Sequence, residues 1–138
     1  MGQQQLLLII LGVIIVGIAI AVGITMFSSA SVAANKDAIV NDLNNLAANA
    51  YQFKIRPCTM GGGGGTYAGG SCNPASPYKI PQKLSLNDNG NYTSTAIVVN
   101  DSTVKFTAKS VSYPNASVVA TVDANGKLFG FTYSGDFQ

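Results

Sequence analysis

Leu6 to Phe27 is a run of 22 residues without a charge, broken only by Gly12, Gly17, Gly23 and the hydroxyl of Thr25. About 20 consecutive apolar residues suffice to cross a bilayer. With no turn signal between them, the run passes straight into an amphipathic stretch. A chain of 138 residues allows one modest domain plus an appendage, and so long an apolar rod cannot join the core of a domain this small. These properties exclude the start of an ordinary soluble enzyme. They fit a subunit whose apolar rod waits in a membrane and is then buried among copies of itself.

The amphipathic continuation carries a helical stripe. Ile39, Leu43, Leu46, Ala50 and Phe53 are spaced by four, three, four and three residues, which places them along one helix face. Asn41, Asp42, Asn45 and Asn49 fall mainly off that face. No Pro occurs before Pro57, so one helix from about Gln3 to Phe53 is allowed, on the order of 75 Å long. Arg56-Pro57 ends it, because the residue before a Pro is pushed out of the α region. A glycine-rich loop follows, and from Tyr78 onward the pattern is β. Leu84 and Leu86 alternate; Tyr92 to Asn100 includes the apolar run Ala96–Val99; Val104, Phe106 and Ala108 alternate with Lys105, Thr107 and Lys109. Val118, Ala120 and Val122, then Phe129, Phe131 and Tyr133, complete the set, and Asn125-Gly126 is the strongest hairpin signal among the intervening turns. The expected fold is therefore α+β. A long N-terminal helix, half hydrophobic and half amphipathic, packs on a C-terminal antiparallel sheet of four to five strands. The divisions are 1–34 for the hydrophobic helix and 35–138 for the head, with helix 35–56, disulfide loop 57–77 and sheet 78–138.

Composition narrows the function classes. Only 10% of residues are charged, against about 25% in an average domain, and the net charge is +2. That is too weak and scattered for nucleic-acid binding, which needs a basic patch. Without His or Glu, the common general acids and bases are missing; no catalytic constellation and no cofactor are expected. Asp37 and Asp42 read as solvated or intersubunit polar groups. Cys58 and Cys72 enclose 13 residues, seven of them Gly. In an exported chain an even pair reads as a disulfide. A zinc site lacks ligands, and the spacing is far from a catalytic Cys-x-x-Cys. Gly61 to Gly65 lack the strand before and the Lys-Ser/Thr after that a phosphate loop needs. They read as a flexible loop tied at both ends by the disulfide, or more sharply as a close backbone contact with a neighbour. Tyr51, Phe53, Tyr67, Tyr78, Phe129, Phe131, Tyr133 and Phe137 read as core packing and subunit contact. Three Asn-x-Ser/Thr sequons, at Asn91, Asn100 and Asn115, are candidate glycosylation sites. The polar Met1–Gln5 lacks the basic start of a secretory signal, although the small residues 28–34 would permit cleavage.

A polar start, an uncharged rod, an amphipathic continuation, a variable loop and an antiparallel sheet together resemble a mature type IV pilin or pseudopilin. As architecture the resemblance covers the whole chain; as sequence pattern it covers about residues 1–56. The string Asn35-Lys36-Asp37-Ala38 through Asp42-Leu43-Asn44-Asn45-Leu46-Ala47-Ala48 is similar to the corresponding helix of bacterial pilin-like proteins. The resemblance implies a structural subunit of a helical homopolymer at the cell surface. Its precursor would sit in the inner membrane, be processed by a prepilin peptidase and be extracted by pilus assembly machinery. Leu6, Leu7, Ile10, Val13, Ile14, Gly17, Ala21 and Ile24 would pack the filament core. Most bacterial pilins carry a glutamate at the fifth mature position, and this chain has none. If Met1 is the mature start, Gln5 takes that place as the N-terminal polar contact, a neutral amide that can still accept a hydrogen bond from an ammonium group. If cleavage follows Gly2, the chain begins at Gln3 and Leu7 takes the place. That junction also resembles archaeal pilins. A minor pilin or pseudopilin of a secretion or DNA-uptake system, and a membrane-anchored binding domain that never polymerises, are the alternatives.

Overall fold

The computed structural model of the chain describes residues 2–92 and 98–138. One helix, α1, spans Gly2–Ile55, as the absence of Pro and the helical stripe predict. The described residues fall into two compact units, one ending at Ala33 and one running from Ala34 to Gln138. The first unit is helix alone. The second is the head, in which the remainder of α1 packs against an antiparallel sheet to give the α+β fold read from the sequence.

The sheet contains β1 (Gly90–Asn91), β2 (Val98–Val99), β3 (Val104–Ser110), β4 (Ser117–Val122) and β5 (Leu128–Ser134). Its order is β1-β3-β4-β5, with β2 also pairing on β3. The two-residue period decides the core face. Val104, Phe106, Ala108 and Ser110 from β3, and Val118, Ala120 and Val122 from β4, are buried, while Lys105 and Lys109 are exposed on the other face. The helix covers this inner face with Ile39, Leu43, Leu46 and Ala50, and with Ala47, which the sequence stripe omits. Phe53 is only half-buried; it meets the Tyr78 ring at 5.5 Å between centroids, and Tyr78 in turn meets Phe106 edge-on at 6.2 Å.

Four features differ from the expectation. Leu84 does not belong to an alternating strand. It lies in a short helical turn, α2 (Gln82–Ser85), started by Pro81, whose carbonyl accepts the Leu84 amide at 2.9 Å. Leu86 makes an isolated bridge to Asn91. Of the strand read over Tyr92–Asn100, residues 93–97 lie outside the described residues. The third feature is in β5. It pairs with β4 through a register shift, in which the step from Val119 to Thr121 is matched by the longer step from Thr132 to Phe129. The extra residue falls at Gly130, whose φ of +65° suits glycine. As a result Phe129 pairs with outer-face Thr121 and is exposed instead of completing the core, while Phe131, also exposed, stacks on the Tyr133 ring at 6.3 Å between centroids.

The fourth is the glycine run. It folds back on the helix end, where the last carbonyls have no partner within the helix. Gly63 N–H donates to the Phe53 carbonyl and Gly65 N–H to that of Lys54, both at 2.8 Å; Gly64 N–H donates to Arg56 at 3.1 Å. A Cβ on Gly62 would stand 2.2 Å from the Arg56 carbonyl oxygen, and one on Gly63 would stand 1.9 Å from that of Thr66. Glycine is therefore required by close approach. The disulfide Cys58–Cys72, with Cα atoms 5.4 Å apart, closes the loop around this cap.

Candidate assembly surface

The residues that a function can use most directly are those α1 leaves uncovered. All sixteen large apolar residues from Leu6 to Phe27 are exposed, from 49% at Leu11 to 77% at Phe27. They include Leu6, Leu7, Ile10, Val13, Ile14 and Ile24; Gly17 and Ala21 are exposed between them. Apart from the adjoining residues and backbone of the helix itself, no described heavy atom lies within 4 Å of a Cβ built on Gly12, Gly17 or Gly23. The segment is apolar on every side, which is the pattern of a buried or membrane-spanning helix and not of one lying on a soluble core. By length and composition it can cross a membrane, a property that an N-terminal signal sequence shares. Covering it on all sides would gain on the order of 20 kcal/mol at the usual value for burying large apolar side chains. Gln5 sits exposed in the first turns of the same helix, and Met1 lies outside the described residues.

In the head, polar side chains tie the helix to the loop around β1. Asp42 Oδ2 accepts hydrogen bonds from Tyr92 Oη at 2.6 Å, Asn87 Nδ2 at 2.8 Å and Asn89 Nδ2 at 3.1 Å. Asn87 Oδ1 in turn accepts the Asn89 and Gly90 amides, which fixes the turn that presents these donors. Two turns earlier on α1, Asn35 Oδ1 accepts the Ser110 hydroxyl at 2.6 Å. Partial burial pushes the Asp42 carboxyl up, but the hydrogen bonds from Tyr92, Asn89 and Asn87 outweigh it and hold its pKa below the ordinary value. The Tyr92 hydroxyl is pushed well above its ordinary range, by burial first and by the Asp42 carboxylate second. Burial alone raises Tyr78 in the same way, and its hydroxyl donates to Asn49 Oδ1 at 2.9 Å. Asp42, half-buried, is thus an intramolecular latch between the helix and the loop around β1. Asp37 is exposed.

The other sequence-singled residues fall in different places. The amides of Gly62 to Gly65 are taken by carbonyls, which leaves no anion cradle there. Asn100 is exposed in the β2–β3 turn, with its amide on the Thr103 carbonyl. Asn115 is exposed, but Ala116 beside it is buried and Ser117 Oγ lies 2.6 Å from Ser134 Oγ. Asn91 pairs with Lys109 across β1 and β3; Thr93 of its sequon lies outside the described residues. Tyr67, Tyr78 and Phe137 are buried with Tyr92, whereas Tyr51, Phe129 and Phe131 face outward. Lys36 Nζ stands 3.8 Å from the centre of the Tyr133 ring and donates to the Phe137 carbonyl. Sequence reading missed the Asp42 latch, although an Asp on a helix together with the Asn87-Asp88-Asn89-Gly90 turn was a visible signal of polar side chains seeking partners.

Comparison of the chain with protein-family models, with curated proteins and with solved structures finds no match in any of the three.

Proposed function

We propose that the chain is the structural subunit of an extracellular helical filament of the type IV pilus kind. The observation that carries this reading is the apolar surface from Leu6 to Phe27, exposed on every side of α1. Lipid would cover it before assembly, and the same segment of neighbouring copies afterwards. The heads would then form the outer shell. A repeating heterologous contact whose rotation does not close into a ring generates an open helix. The disulfide suits a head on the oxidising side of the membrane.

Two further readings use the same surface. A minor pilin or pseudopilin of a secretion or DNA-uptake machine differs in abundance, and a single-span anchored domain differs in never polymerising. Ile14→Lys separates the filament from the anchor. A lysine can snorkel at some cost in lipid, but in a close-packed helix bundle it leaves a charge without water. The expected outcome is loss of filaments from the sheared cell-surface fraction while the protein still reaches the membrane. Filaments at the wild-type level from Ile14→Lys would sink the bundle reading.

A further inference from the structure

Within the head, Asn49, Gln52, Phe53, Arg56, Tyr78 and Lys79 line an open cleft of about 170 Å³. Its chemistry is one-sided. Asn49 Oδ1 already accepts the Tyr78 hydroxyl, so Asn49 offers its amide nitrogen, beside the Arg56 guanidinium and the Lys79 ammonium. None of the described lining residues is acidic, and both cationic side chains are exposed. A small cleft of donors with two positive charges fits a carboxylate, which Arg can hold in two parallel hydrogen bonds.

Outside the cleft the charges at this end are mixed: Asp101 is exposed, and its carbonyl accepts the amide of Tyr67, whose own carbonyl accepts that of the cleft residue Tyr78. Near the cleft, Lys54 Nζ donates to the Ala124 carbonyl, which puts Lys127 of the same turn at this end. The acid of that turn, Asp123, is engaged by the Asn125 and Lys127 amides. At the other end of the helical stripe, Asp37 is exposed on α1. Asp88 is exposed between the two asparagines that hold Asp42, and Asp136 is exposed beside Phe137, whose carbonyl accepts Lys36. Lys36 is thus engaged, and Lys109 projects from the outer face of the sheet. The 19 residues from Asp37 to Arg56 put roughly 28 Å between the two ends, so Asp37 of one head cannot reach its own cleft.

We propose that the Arg56–Lys79 cleft is a docking site for a second copy of this chain, and that it receives an aspartate from the Asp37, Asp88 and Asp136 end of the next head. A basic cleft at one end that takes an aspartate from the opposite end of the next copy is a head-to-tail contact, which extends as an open helix wherever its rotation does not close into a ring. The proposal rests on the filament reading and adds the head-to-head contact that sets its polarity.

The test is a charge swap in the full chain, expressed in cells that assemble it, with filaments quantified in the sheared fraction. Arg56→Asp with Lys79→Asp, and separately Asp88→Lys with Asp136→Lys, should each lower the filament yield by at least about tenfold. The four substitutions together should restore most of it. Wild-type yield should also fall as salt rises, because exposed charge pairs are screened. Thermal unfolding of each variant in detergent shows that the heads still fold. Normal yields from both half-swaps would overturn the docking site and leave the filament reading standing, as would folded half-swaps that the combined variant fails to rescue. A wild-type chain that makes no filaments would overturn both.

Discussion

Asp42→Ala is the most informative single change in the head. It removes the one oxygen that Tyr92, Asn87 and Asn89 share, at 2.6, 2.8 and 3.1 Å. Asn87 is exposed and Asn89 half-buried, so water can replace most of what those two amides lose. Tyr92 is different: its side chain is 1% exposed, and its hydroxyl would be left without an acceptor. An unsatisfied buried hydroxyl costs roughly 1–3 kcal/mol, and the charge-assisted bonds to the amides add roughly 1 kcal/mol more. The expected loss is therefore about 3 kcal/mol, or on the order of 10–20 °C in Tm for a head of about 100 residues. The assay is urea unfolding of the full chain in detergent, followed by tyrosine fluorescence, since the chain has no Trp.

Tyr92→Phe should cost less than Asp42→Ala, because it removes the hydroxyl along with its need for a partner. Combined with Asp42→Ala it should be clearly non-additive, with a coupling of about 1–2 kcal/mol. The pH dependence has a definite sign. The Asp42 pKa is lowered in the folded head, so its stabilisation is present above the ordinary carboxylate pKa and is lost as pH falls through the lowered value. Asp42→Asn should flatten that acid limb. A loss below about 0.5 kcal/mol for Asp42→Ala, or strict additivity with Tyr92→Phe, would refute the latch.

Two more perturbations test the glycine cap. Gly63→Ala places a methyl 1.9 Å from the Thr66 carbonyl oxygen and 2.9 Å from the Phe53 ring; Gly64→Ala meets Cys58 Sγ at 2.6 Å with φ at +60°. Each should lower the urea midpoint, by at least about 1–3 kcal/mol in stability. Cys58→Ser with Cys72→Ser should cost about 3 kcal/mol for a bridge that spans 14 residues, read in the same unfolding assay under oxidising conditions.

The sequence by itself determined the elements whose signal is local. An uncharged run without Pro can only be a helix that needs cover, and α1 spans Gly2–Ile55. The spacing of Ile39, Leu43, Leu46 and Ala50, and the alternation in β3 and β4, follow from helix and strand periods that each residue shares with its near neighbours. Two lone cysteines in a chain without His or a further Cys left one natural pairing. Tertiary structure alone decided the rest. Residues 45 to 50 positions apart had to meet before Asp42 became a latch. The helix end had to stand beside the glycine run before that run became a cap, because an amide donates wherever an unpaired carbonyl is brought to it. The bulge at Gly130 turned Phe129 outward although its alternation reads as core, since one inserted residue exchanges the faces of everything beyond it. Period and composition are properties of neighbours along the chain. Hydrogen-bond partners, close approaches and register are properties of neighbours in space, and these exist only once the helix has packed on the sheet.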